Sequence, residues 1–187
     1  MMKRFAAAAA ALLALTACGS GVNVRTQSAP NFSPDGRSTF RILPMPRPAD
    51  GATLGANDPM LSNSITNQAL RNDVIAALES RGYRRADGGA ADLDVAMYAS
   101  ATHALDIHTW DYGYSWRMWP REYTQVTPYE RGTVIIDLVD PSNHELLWRG
   151  QGVASVSENP NHYVDELGKV VTQIAKKLPA ATTHRAN

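Results

Sequence analysis

The sequence predicts an α+β domain in which a mainly antiparallel sheet carries two helices packed on one face. Apolar and polar residues alternate in several short segments, as in strands, whereas two longer segments repeat apolar residues at helical spacing. These segments follow in the order strand, strand, helix, strands, helix. A tight turn joins the last two strands, which is typical of an antiparallel hairpin and not of a parallel crossover.

The composition is that of one ordinary globular domain. The chain has 187 residues, of which 44% are hydrophobic and 19% charged, and it contains a single cysteine. Its 18 Lys and Arg residues balance its 18 Asp and Glu residues, and no stripe of basic residues interrupts the sequence. Nucleic acid binding depends on basic side chains that neutralise phosphates, so we expect no nucleic acid partner.

The first seventeen residues have the pattern of a cleaved leader and not of part of the domain. Lys3 and Arg4 form a short basic head, and residues 5–15 are an unbroken apolar run of eleven residues. A membrane-spanning helix needs about 20 apolar residues, so this run is too short to cross a bilayer. We therefore predict a lipoprotein signal peptide at residues 1–17, whose removal leaves a slightly acidic mature chain.

The leader ends in Leu15, Thr16, Ala17 and Cys18, which resemble the bacterial lipobox of a leucine, two small residues and a modified cysteine. The thiol accepts a diacylglycerol, and the amino group freed by cleavage can then be acylated. Two or more acyl chains hold a protein stably on a membrane. We predict lipid attachment at Cys18, a short tether at residues 18–21 and a membrane partner; an ordinary buried cysteine is the alternative.

The residue after the cysteine bears on the destination of the protein. By resemblance to enterobacterial lipoproteins, an aspartate at that position would mark retention in the inner membrane, and this chain has Gly19 there. We therefore expect attachment to the outer membrane, with the domain facing the periplasm of the bacterial cell envelope.

The first half of the domain contains two predicted strands and a helix. Residues 22–26 and 38–43 alternate apolar and polar positions and predict the strands. Asp58 and Pro59 form a helix-start signal, with Asp58 as the cap. Apolar residues then recur at helical spacing until Gly82 supplies a stop.

The second half of the domain begins with strands. Residues 92–102 alternate and predict the third strand, whereas residues 132–140 are apolar on both faces and predict a central strand. Residues 141–143 form a predicted tight turn, because proline is preset for its second position and Asp140 can bond back to the turn backbone. Residues 144–156 then complete the hairpin.

A second helix closes the predicted domain. Asn159 or Asn161 can cap it, its apolar residues fall at spacings of three and four, and Pro179 ends it. We therefore predict one domain over residues 22–179, followed by a frayed polar tail at residues 180–187.

Two stretches of the second half resemble a known family. They are GTVIIDLVD at residues 132–140 and LLWRG at residues 146–150, and a further match is the end of the first helix at Leu78, Gly82 and Tyr83. Together they resemble the signature of a bacterial lipoprotein family catalogued as domain of unknown function 4136. The resemblance covers most of the predicted domain.

The resemblance implies a periplasm-facing lipoprotein of unknown activity, and it transfers no catalytic residue to this chain. The chain departs from the family near residue 40, where the family tends to place Tyr and Trp and this sequence has Phe40, Arg41 and Ile42. No aromatic site is therefore carried over onto the second strand.

Aromatic residues are concentrated in one segment, because seven of the fourteen lie between residues 110 and 129. The ones that we predict to bind a partner are Trp110, Tyr112, Tyr114, Trp116 and Trp119. The first four alternate, so a strand would place their rings on one face. Such a row can be core, a stacking platform for a glycan, a protein-binding edge or a membrane-interface belt. We favour an envelope protein or glycan as the partner.

His103, Asp106 and His108 are the residues that an enzymatic hypothesis would use. They are metal-binding residue types at short spacing, and they make an envelope hydrolase or metal-dependent enzyme the alternative function. A continuous strand would turn His103 away from the other two, so we predict no metal and no other cofactor. Complete enzyme motifs are absent from the sequence, which favours a non-catalytic binding or envelope-assembly module.

Overall fold

The computed structural model describes residues 21–30, 32–44, 58–61, 63–86, 88–100, 105–107, 127–129, 132–155, 157 and 159–182. The strands are β1 (Asn23–Ser28), β2 (Thr39–Ile42), β3 (Arg84–Arg85), β4 (Leu93–Ala99), β5 (Leu105–Ile107), β6 (Thr127–Tyr129), β7 (Thr133–Val139) and β8 (Leu146–Val153). The helices are α1 (Ile65–Ser80) and α2 (Pro160–Ala175). Neither described helix has the length and apolar character that crossing a membrane requires.

Six strands form one sheet in the order β1-β8-β7-β4-β2-β3, and β5 and β6 pair separately. This arrangement confirms the predicted α+β class, but the sheet is mixed because β2 runs parallel to both β3 and β4. The parallel pairs arise because α1 carries the chain back along the sheet before the next strands begin, as in a βαβ crossover. The other pairs of the sheet are antiparallel.

The two helices run parallel to each other on one face of the sheet. Their first turns meet where the hydroxyl oxygens of Thr66 and Tyr163 are 3.4 Å apart. The residues just after their last turns also meet, because Arg81 Nε donates to the carbonyl oxygen of Leu178 at 2.9 Å. The apolar residues between helices and sheet form a single core cluster, which includes Trp148.

Glycines in β8 allow α2 to lie close to the sheet. A Cβ atom added at Gly150 would lie 2.5 Å from Ile174 Cγ2, and one added at Gly152 would lie 2.4 Å from Val170 Cγ1. The ring of Trp148 also covers Gly150, since the added Cβ would be 2.4 Å from its Cη2 atom. Side chains at these two positions would therefore push the helix away from the sheet.

The predicted start of the first helix is wrong. The helix begins at Ile65, with Ser64 as its N-cap, and Ser64 Oγ accepts a hydrogen bond from the Asn67 backbone N–H at 3.0 Å. Asp58 uses the same chemistry six residues earlier, because its Oδ1 atom accepts from the Met60 backbone N–H at 2.8 Å. Two caps of similar quality thus lie six residues apart, and the second one starts the helix.

Other predicted features lie close to where the sequence put them. The hairpin joins β7 to β8, and Asp140 Oδ1 accepts from the Ser142 backbone N–H at 2.9 Å, as predicted for the turn. β8 begins at Leu146 and not at the predicted residue 144, because His144 adopts a φ of 62°, which is incompatible with a strand. Gly82 follows α1 with a φ of 89°, as a helix-ending glycine does.

The short strands β3, β5 and β6 were not predicted. Residues beyond Pro179 also contact the rest of the fold: the Ala181 backbone N–H donates to the Arg81 carbonyl at 2.8 Å, and Thr182 forms a bridge with Asp35. Ala181 is thereby fastened to the end of α1, and Thr182 to the loop before β2.

Replacing Gly152 with alanine should destabilise the domain by about 1–3 kcal/mol, because the new methyl group would overlap Val170. Chemical denaturation of the purified domain measures this cost. Val170→Ala alone should also destabilise, by leaving a cavity. The two changes together should cost less than the sum of their separate effects, and strictly additive costs would show that the close contact is not the cause.

Candidate functional site on the charged face of the sheet

The residues predicted to carry function lie largely outside the described part of the chain. Those outside it are Cys18, His103, His108, Trp110, Tyr112, Tyr114, Trp116 and Trp119. Asp106 lies in β5, where it pairs with Pro128 of β6 through the strand register. The candidate site that the structure describes is therefore a different one, on the sheet face opposite the helices.

Four charged residues form a row across this face. We call them the charged row: Arg41 of β2, Asp94 of β4, Asp137 of β7 and Arg149 of β8. The register places Arg41 directly opposite Asp94 and Asp137 directly opposite Arg149. Because Ala96 is opposite Asp137, the two aspartates occupy a diagonal position on neighbouring strands, about 7–8 Å apart.

Each aspartate accepts a two-pronged hydrogen bond from its arginine. Arg41 donates from Nε to Asp94 Oδ1 and from Nη2 to Oδ2, both at 2.9 Å. Arg149 donates from Nε to Asp137 Oδ1 and from Nη2 to Oδ2, both at 2.7 Å. Such paired contacts match the planar fork of a guanidinium to a carboxylate and are among the strong hydrogen bonds of proteins.

The carboxylates are the buried ends of these pairs. Both aspartate side chains are 0% exposed, whereas Arg149 is 16% and Arg41 is 47% exposed. A buried charge is costly to remove from water unless a partner compensates it. Each guanidinium therefore compensates its carboxylate and extends from the interior toward the protein surface.

Asp92 fixes the strand that supplies Arg41. Its Oδ2 atom accepts from the backbone N–H of Ser38 at 3.0 Å, from the backbone N–H of Thr39 at 2.8 Å and from the Thr39 hydroxyl at 2.7 Å. Burial acts to raise the pKa of Asp92, but these hydrogen bonds, with a smaller contribution from Arg37, hold it below its usual value. The ionised Asp92 ties the start of β4 to the start of β2.

A third ion pair lies at the same end of the sheet. Arg37 Nη2 is 3.2 Å from Asp140 Oδ2, and both side chains are partly exposed. The hydrogen bond from the Ser142 hydroxyl is the main cause that lowers the pKa of Asp140; burial opposes it, and Arg37 adds to the lowering. This pair connects the hairpin turn to the loop before β2.

The helix layer contains an acid whose pKa is shifted in the opposite direction, upward. Burial, followed by the nearby Asp165 carboxylate, raises the pKa of Asp73 in α1. The two helices approach closely there, since a Cβ atom added at Gly168 would lie 2.7 Å from Asp73 Oδ2. The raised pKa of Asp73 therefore has its cause in the packing between the two helices.

The charged row is suited to holding strands in place and not to proton transfer. Both oxygens of each aspartate already accept hydrogen bonds from the arginine opposite it. The residues that the structure describes include no cluster of three metal-binding side chains. The centre of this face is buried, and the two arginines lie at its more exposed margins.

Sequence reasoning missed the charged row. The available signal was that Asp94 and Asp137 are acids within otherwise apolar strands, a pattern that requires a basic partner on a neighbouring strand. The sequence does not say which arginine that is.

The structure thus defines a small α+β domain whose mixed sheet carries helices on one face and buried ion pairs on the other. The chain belongs to the family described as Domain of unknown function (DUF4136), whose model matches residues 22–180. This match confirms the family resemblance seen in the sequence. No curated protein matches the chain.

Solved structures with similarity to the chain include a DUF4136 family protein from Bacteroides thetaiotaomicron. It is 13% identical, with a TM-score of 0.49, and the match covers 84% of this chain and 95% of that one. The dodecameric PelC of Paraburkholderia phytofirmans is 11% identical, with a TM-score of 0.46, over 86% of this chain and 99% of that one. A PelC variant, also a dodecamer, has 12% identity, a TM-score of 0.44 and the same coverage.

Arg149→Met should destabilise the domain by about 3–5 kcal/mol, because it leaves the Asp137 carboxylate buried without its partner. Arg37→Met is the matched control, and losing that partly exposed pair should cost less than about 1 kcal/mol. Replacing both members, as in Asp137→Leu with Arg149→Met, should recover most of the loss. Equal denaturation midpoints for the two single variants would contradict this assignment.

Proposed function

We propose that the protein is a lipid-anchored lipoprotein of the bacterial cell envelope, whose domain is a non-catalytic binding or assembly module. In this proposal Cys18 carries the acyl chains and the domain faces the periplasm from the outer membrane. The observation that carries the proposal is the combination of the lipobox residues with a folded domain that begins at Asn23. The family itself has no assigned function.

The distance from the anchor to the domain is short. β1 begins five residues after Cys18, and five residues span at most about 18 Å when fully extended. The proposed anchor would therefore keep the edge of the sheet next to the membrane. A domain held in this way can contact the membrane and partners in the same membrane more readily than partners far from it.

A non-catalytic role is supported by four acids of the sheet and its turns. Asp94 and Asp137 hold arginines, Asp92 holds the start of β2, and Asp140 holds the hairpin turn. Each of these carboxylates has a structural task in the fold. General acid or base catalysis instead requires a group that can reach a substrate proton.

The aromatic segment is the proposed partner-binding region. The described residues that flank residues 101–131 meet in the sheet, because the Ser100 backbone N–H donates to the Thr133 carbonyl at 2.9 Å and the Gly132 N–H donates to the Ser100 carbonyl at 2.7 Å. β5 and β6 pair just beyond these residues. A long insertion between two central strands is a usual position for binding residues on a rigid scaffold.

Cys18→Ser should abolish incorporation of a fatty-acid probe, because serine lacks the thiol that accepts the diacylglycerol. Metabolic labelling of cells that express the full chain measures this directly. Ser20→Ala is the control and should label like the unchanged protein. Labelling that persists in the Cys18→Ser variant would refute the proposed anchor.

A photo-crosslinking residue placed at Trp116 in living cells should capture a discrete envelope protein or glycan. The same photo-crosslinking residue placed at the position of Lys176, an exposed residue directly after α2, should not capture this partner. Absence of an adduct, together with loss of stability on Trp116→Ala, would instead assign the aromatic row to the core.

A further inference from the structure

One end of the domain contains the start of β1, and we call it the anchor end. Four residues on neighbouring strands define it: Asn23, Val153, Thr133 and Ser100. Asn23 pairs with Val153, and Val153 pairs with Thr133. The Ser100 backbone N–H then donates to the Thr133 carbonyl oxygen. These residues form a continuous line across β1, β8, β7 and the end of β4.

Both helices also begin at the anchor end. The Ala99 backbone N–H contacts Met60 Sδ at 3.4 Å, and Met60 lies in the turn that leads to the Ser64 cap of α1. The close approach of the Thr66 and Tyr163 hydroxyls places the first turn of α2 beside that of α1. The helices therefore run from the anchor end toward the opposite end of the sheet.

The two ends of the domain differ in chemical character. At the anchor end, the first residue of α1 is Ile65, which is 75% exposed and is the large apolar side chain that stands exposed within the described ranges. Its neighbours Asn63 and Ser64 are uncharged, and the Asp58 carboxylate nearby already accepts from the Met60 N–H. The four residues that define the anchor end are also uncharged.

The opposite end has many charged groups. Arg37 and Asp140 pair there, and the exposed charged residues at this end include Asp35, Glu79, Arg84, Arg85, Glu145, Lys176 and Lys177. An end of the domain with this many charged side chains is suited to contact with bulk water. Among the described residues the anchor end has fewer charged side chains, which include Arg25, Asp58, Asp165 and Glu166. An exposed isoleucine at such an end is suited to the boundary between lipid headgroups and acyl chains.

We propose that the anchor end rests on the surface of the bilayer that holds the acyl chains of Cys18, with Ile65 at the depth of the lipid headgroups. This inference rests on the proposed lipid anchor. A single exposed isoleucine has no special meaning by itself, but this one lies at the end of the domain that the tether holds within about 18 Å of the membrane. The occupant of this surface is the lipid itself.

The test uses the lipidated full chain with one introduced thiol. The sequence has a single cysteine, and lipid would occupy its sulfur, so a new cysteine can be labelled selectively. Ile65→Cys reports on the anchor end, and Glu79→Cys is the matched control on the same helix. The two positions are exposed and are about 21 Å apart along the helix axis.

Each variant is labelled with an environment-sensitive fluorophore and reconstituted into phosphatidylethanolamine and phosphatidylglycerol vesicles that contain a headgroup spin-labelled lipid. We expect several-fold stronger quenching at residue 65 than at residue 79. Thermal unfolding of both variants checks that they fold, and Asn63→Cys replaces Ile65→Cys if the latter does not.

The outcomes separate this inference from the proposed anchor. Equal quenching at the two positions, or stronger quenching at residue 79, in protein that carries the fatty-acid label would overturn the orientation and leave the anchor intact. Failure of the unsubstituted chain to incorporate a fatty-acid probe would overturn both. Stronger quenching at residue 65 in lipidated protein would support both.

Discussion

The buried carboxylates of Asp94 and Asp137 fix the register of the central strands. Each is fully enclosed and is compensated by the arginine directly opposite it on the next strand. A shift of one residue in any of these pairings would turn the carboxylate toward the helix face, away from its arginine. The cost of an uncompensated buried charge therefore selects one alignment of β2, β4, β7 and β8.

The helix layer depends on that alignment. Gly150 and Gly152 face α2 only in the observed register, and the absence of side chains there lets Ile174 and Val170 reach the strand backbone. A shifted β8 would present Arg149 or Gln151 to the helix instead. The ion pairs on one face and the glycines on the other thus specify the same arrangement, one by charge and one by space.

Local chemistry explains which features could be predicted from the sequence. The hairpin was predicted because Asp140, Pro141 and Ser142 determine the turn within a few residues. The start of α1 was missed because Asp58 and Ser64 are both competent caps, and the choice between them depends on packing. The parallel placement of β2 follows from the path of the chain after α1. The alternation of apolar and polar residues in a strand does not predict that path.

The charged row was not predictable in detail, because its partners are far apart in the sequence. Arg41 and Asp94 are separated by 53 positions, and Asp137 and Arg149 by 12. Period-two alternation assigns a residue to one face of a strand but does not say which strand lies beside it. The proposed anchor and aromatic residues lie outside the described part of the chain, so the structure bears on them only through the strands that flank them.

The pairing of β1 with β8 also constrains the order of folding. Asn23 is near the beginning of the chain, yet its partner Val153 belongs to the last strand that the structure describes. β1 can therefore pair only after nearly all of the domain is available to fold, and such distant pairings form slowly. A chain truncated before β8 would lack the strand with which β1 pairs.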